Sequence, residues 1–151
     1  SHPYADTDER KTARQRGIEM LQSGKRDLYV SQLFPNLFAP AFMQAHPEVL
    51  AAVTEQGKKQ SAAGIIAALQ AMVSRRDHQD TLRNARCPVL FVLGETDGLV
   101  PLDAGWKSAL LPDSAQVVVL PGVAHMGMYE APETCAERVV TFYSFACSSS
   151  F

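Results

Sequence analysis

At 151 residues, 46% hydrophobic and 20% charged, the chain has the composition of one ordinary globular domain and enough length to bury a core. No apolar run nears the ~20 residues that span a bilayer, the polar start SHPYADTDER is no signal peptide, and a net charge of −2 gives no reason to expect nucleic acid. Cys87, Cys135 and Cys147 are scattered and odd in number, which excludes a disulfide scaffold, fits a reducing compartment and makes the expected location cytoplasmic.

Charge divides the chain at Cys87-Pro88. Residues 1–86 carry 12 Lys/Arg against 9 Asp/Glu, and residues 87–151 carry 2 against 7. The first region reads as successive helices. Asp6 or Thr7 is placed to cap DERKTARQRGIEMLQSG, with Gly24 as its stop. LYVSQLFPNLFAP, broken by Pro35 and Pro40, reads as short helix, turn and short helix. HPEVLAAVTEQG starts at Pro47 and closes at Gly57. SAAGIIAALQAMVSRR sets Ile65, Leu69 and Met72 on one helical stripe, and a short segment HQDTLRNAR follows. The basic pairs Lys58-Lys59 and Arg75-Arg76 read as solvated faces.

The second region changes grammar. PVLFVLG is a short, continuous apolar run, the pattern of a strand covered on both faces in a parallel sheet. A turn, ETDGLVP, leads to a helix over about 102–111, and AQVVVLPG gives a second strand. Pro132 then opens a last helix whose inner face is expected to carry Val139, Phe142 and Phe145. Trp106 is expected to pack its helix onto the sheet, and Cys87 and Cys135 to be buried thiols. The order strand, helix, strand, helix predicts an α/β fold, yet two strands cannot flank themselves. Other chains, or a longer protein of which this is the C-terminal part, must supply the rest of the sheet.

Ligand sites in open α/β sheets lie beyond the carboxyl ends of the strands. Asp97 stands three residues past the first strand, and His125 a few residues past the second. Singly, each reads as structural, since an Asp in a Gly-containing turn caps its own backbone. As a pair at successive strand ends, with Gly94 and Gly122 before them, they read as a carboxylate that orients an imidazole for general-base work.

LRNARCPVLFVLGETDGLVP followed by LLPDSAQVVVLPGVAHMGMYEAPE resembles the C-terminal end of an α/β-hydrolase-fold enzyme. The resemblance implies that Asp97 is the acid and His125 the base of a catalytic triad. It also implies that residues 1–86 form a helical cap, or lid, and residues 87–151 the C-terminal part of the core, β-α-β-α with an incomplete sheet. The nucleophile elbow G-x-S-x-G is absent: Ser23, Ser61 and Ser108 have no such surroundings, and no HGGG-like oxyanion loop occurs. The implied parent is a serine hydrolase acting on a small-molecule ester, lactone or similar carbonyl, with no cofactor or metal. The chain alone is expected to be inactive, lacking a group for the base to activate.

Substrate-pocket candidates are Phe34 and Phe38 in the helical region and Met126 and Met128 after His125. Glu130 reads as a structural anchor at the positive end of the final helix. The expected partner is the missing N-terminal half or, in a non-catalytic reading, a second copy forming an intertwined homodimer; no membrane is expected. Two further readings are a C–C hydrolase or dehalogenase-type relative, and an N-terminal-nucleophile hydrolase using Ser1, whose antiparallel sheets the helical pattern disfavours.

Overall fold

The computed structural model describes residues 2–148, so Ser1 lies outside them. Two compact units emerge: one of residues 4–36 and 43–77, the other of residues 2–3, 37–42 and 78–148.

The helical unit is built from α1 (Asp8–Gln22), α2 (Arg26–Leu33), α4 (Pro47–Lys58) and α5 (Ala62–Ser74); a 3-10 turn (Phe34–Leu37) and α3 (Pro40–Ala45) lie between α2 and α4 in sequence. Its helices begin and end where the chemistry of their termini requires. Thr7, rather than Asp6, caps α1, its hydroxyl accepting from the Arg10 amide at 3.3 Å. Ser61 caps α5 through the Gly64 amide at 3.0 Å, Pro47 opens α4, and Gly24 follows α1 at φ +78°, a conformation glycine adopts without strain. Ile18 and Leu21 of α1 are buried with Leu69 of α5, and Tyr29, Ile65 and Ile66 pack around them. The stripe on α5 does not continue to Met72, which is 38% exposed; Ile66 joins the core instead.

Asp6 has a different task in the same unit. Its side chain is fully buried and accepts hydrogen bonds from Arg14 and, at 3.1 Å, from Arg75. The Arg14 hydrogen bond holds the carboxyl below its ordinary pKa against the opposing effect of burial, and the charges of Arg14, Arg75 and Arg10 add to it. One carboxylate thus ties the residues before α1 to the residue that ends α5.

The C-terminal unit contains α6 (Gln79–Arg83), β1 (Val89–Gly94), α7 (Leu102–Ala109), β2 (Ala115–Leu120), α8 (Gly127–Glu130) and α9 (Pro132–Ser148). β1 and β2 pair in parallel, Val89 opposite Ala115 through Gly94 opposite Leu120. The α7 crossover lies against β1 at Gly105, where a Cβ would come within 2.7 Å of the Leu93 methyls.

The apolar strands are not covered as their sequence requires. Leu93 and Leu120 are the buried strand residues, whereas Val92 is 37% exposed. Val139 and Phe145, expected on the inner face of α9, and Trp106, expected against the sheet, are all about half exposed. The physical reason is common to them: a two-stranded sheet shields little surface, so its flanking helices lack a floor to cover. Cys87 is exposed rather than buried, and Cys135 is partly buried, its thiol pushed up by desolvation. Among the described residues no helix is long and apolar enough to cross a membrane.

Candidate active site

Parallel pairing brings the C-terminal ends of β1 and β2 side by side, and the loops that leave them are stitched together. The Glu95 amide donates to the Leu120 carbonyl at 3.1 Å, and the Gly122 amide to the Glu95 carboxylate at 2.7 Å. Thr96 donates to the Val123 carbonyl through both its amide and its hydroxyl, at 2.9 and 3.0 Å. Two glycines make this approach possible. Gly122 turns the second loop at φ +68°. Gly94 lies under the second loop so closely that a Cβ there would sit 2.0 Å from the Ala124 carbonyl oxygen.

The stitched loops bring Asp97 and His125 together. Asp97 Oδ1 accepts from the Leu99 and Val100 amides at 2.8 and 3.0 Å, which fixes the carboxylate plane. Its Oδ2 lies 2.8 Å from His125 Nδ1. Burial, the largest single influence, raises the Asp97 pKa; the His125 hydrogen bond, the two amides and the imidazole charge outweigh it, and the net shift is downward. An ionised Asp97 only accepts, so the ring proton belongs on Nδ1 and the lone pair on Nε2. The Asp97 side chain is 8% exposed and that of His125 30% exposed, so the carboxylate is sheltered while the imidazole remains accessible.

Around His125, three consecutive amides have partners. That of His125 donates to the Leu37 carbonyl at 3.0 Å. Those of Ala124 and Met126 donate to the Glu130 carboxylate at 3.1 Å, which also accepts from the Ala39 amide at 2.9 Å. Phe38, between Leu37 and Ala39, is buried, stacked on Phe42 and edge-on to Tyr129. Of the four pocket candidates, Phe38 and Met126 therefore lie in segments bonded to the His125 loop. Met128 is 60% exposed on α8, and Phe34 belongs to the helical unit, where its ring covers Gly57. Among the described residues no group of three or more His, Cys, Asp or Glu is placed to hold a metal ion. Sequence reasoning missed the bracing by residues 37–39 and the grip of Glu130 on the backbone. A contact spanning 91 residues leaves no local signal.

The sequence matches no protein-family model and no curated protein. In three dimensions the chain has the architecture of the C-terminal half of the α/β-hydrolase fold. It is similar to a thermophilic esterase from Thermogutta terrifontis (TM-score 0.89, 24% identity, 96% of this chain and 53% of the esterase). It is similar too to the enol-lactonase from Burkholderia xenovorans LB400 (0.84, 18% identity, 95% and 53%) and to MenH from S. aureus (0.82, 17% identity, 97% and 57%). The chain spans about half the length of each. At these identities the likeness defines a fold.

Proposed function

We propose that the chain is the C-terminal part of a hydrolase that cleaves an ester, lactone or similar carbonyl compound, and that Asp97 and His125 are the acid and base of its triad. The observation that carries this reading is the 2.8 Å contact between His125 Nδ1 and an Asp97 carboxylate already fixed by two amides. Such a pair leaves Nε2 free to take a proton from a nucleophile and return it to the leaving group. The names esterase and enol-lactonase among structures twice the chain's length support the substrate class.

The nucleophile and oxyanion hole come, in this reading, from polypeptide preceding residue 1 in a parent protein, which also completes the sheet beside the exposed strands. By its likeness to the family, the helical unit is the counterpart of the lid. A second copy of the chain is the other candidate to cover the sheet; light scattering decides, with a monomeric chain favouring the parent and a tight dimer favouring self-association. The parent sequence ahead of residue 1 separates the chemistries. G-x-S-x-G there means acyl transfer, and G-x-D-x-G means dehalogenase or epoxide chemistry.

The test is ester hydrolysis by the full-length parent. Asp97→Asn and His125→Ala are each expected to lower kcat by about ten-thousand-fold on a p-nitrophenyl ester with the fold intact. Activity within threefold of the unaltered enzyme in either variant would remove the pair from the mechanism.

A further inference from the structure

We propose that Glu130 is the positioning residue for His125, setting the imidazole against Asp97 by gripping the backbone on both sides of the histidine. The inference rests on the reading of Asp97 and His125 as triad acid and base. It goes beyond that reading because Glu130 hydrogen-bonds to backbone amides and to neither the ring nor Asp97.

Glu130 Oε1 accepts from the amides of Ala124, at 3.1 Å, and Met126, at 3.1 Å. Oε2 accepts from Ala39 at 2.9 Å and shares the Ala124 amide at 3.2 Å. Between those two amides, that of His125 is taken by Leu37. Residues 124–126 and 37–39 thus form a closed circuit in which every link but one passes through a single carboxylate. Only a carboxylate side chain offers enough acceptor lone pairs at one point for three N–H donors, and its charge strengthens each bond. The bonds run back to residues before Glu130, so its role differs from that of an acid placed for the dipole of α9. The imidazole swings from the Cα that this circuit holds. A displacement there beyond about 0.5 Å, the tolerance of catalytic geometry, moves Nδ1 off the Asp97 oxygen.

Glutamine keeps an acceptor oxygen that, at the Oε1 position, can hold both sides of the histidine while its NH2 group loses Ala39; the aspartate carboxylate stops one methylene short of both sides. Alanine holds neither. The readout is the ring tautomer of His125 in the ¹⁵N-labelled full chain, taken from the nitrogen shifts seen through the carbon-bound ring protons at a pH where the ring is neutral. Unaltered chain is expected to show the Nδ1–H form that Asp97 imposes. Glu130→Ala is expected to lose it in favour of the Nε2–H form that a neutral imidazole prefers in water, Glu130→Asp to give a mixture, and Glu130→Gln to keep it. A merely structural role would lower stability and leave the tautomer of folded molecules unchanged, and that result overturns the proposal while sparing the pair. Should Glu130→Ala fail to fold, Glu130→Asp carries the test, and a pure Nδ1–H ring in it overturns the proposal. An Nε2–H ring in the unaltered chain would overturn both the positioning role and the pair it serves.

Discussion

The two units treat apolar sequence in opposite ways. In the helical unit the residues whose pattern asks for burial are largely buried: Ile18, Leu21 and Leu69 close on one another, and the helices are capped within the unit. In the C-terminal unit, VLFVLG and AQVVVL form strands as expected, yet most of their residues remain partly exposed, and Val139, Val140 and Tyr143 of α9 stand open beside them. Helices satisfy their backbone internally and need only one covered face. A parallel strand needs neighbours on its edges and layers on both faces, all of which come from distant sequence. The contrast teaches that the first unit closes a core with its own helices, whereas the second leaves apolar faces of its strands and last helix open.

The largest expected effect separates the units by core truncation. Leu69→Ala, at a site 6% exposed, is expected to cost about 3 kcal/mol of stability in the helical unit. Val92→Ala, in the middle of a strand but 37% exposed, is expected to cost under about 1 kcal/mol in this chain and clearly more in the full-length parent, where the strand would be covered. Urea unfolding followed by residue-resolved hydrogen exchange checks both. Equal losses at the two sites would erase the contrast.

A backbone change probes the strand ends instead. Gly94→Ala places a methyl group against the Ala124 carbonyl and is expected to displace the loop that carries His125. The cost is about 2–3 kcal/mol, with exchange protection lost at the β1–β2 ends and the histidine released from Asp97. Unchanged ring-nitrogen shifts of His125 would show that the close approach is not what seats the loop.

The smallest effect concerns acid. Asp6 has a depressed pKa in the folded chain, so its contribution is full above the unfolded carboxyl value, about 4, and is lost as pH falls through the lower folded value. Asp6→Asn is expected to cost about 2 kcal/mol at neutral pH, since the two arginines are only partly buried, and to flatten the acid side of the helical unit's stability curve. Parallel curves for the two proteins between pH 5 and 2 would show the cluster to be energetically idle.

Strand order, helix starts and the Asp97–His125 pair were legible because each depends on local pattern: apolar runs, Pro and Gly punctuation, and loops that must emerge at one edge of a parallel pair. Other features turned on distant partners. Thr7 and Asp6 are interchangeable as caps by composition; Asp6 is taken by Arg75, 69 residues away. Phe38 sits in a helical stretch by sequence but belongs to the unit of the strands, where residues 37–39 bond to the His125 loop. Trp106 and Val139 have the pattern of residues that cover a sheet, and the two strands present make too little of one to bury them.

Hydrolysis of a p-nitrophenyl ester by the isolated 151-residue chain, measured beside its own His125→Ala form, bears most directly on a base waiting for a nucleophile from elsewhere. The two proteins are expected to show the same background rate, at the level of an exposed imidazole or below. Sustained turnover by the unaltered chain that vanishes in the variant would mean that these residues hold a working site by themselves, and would contradict the account.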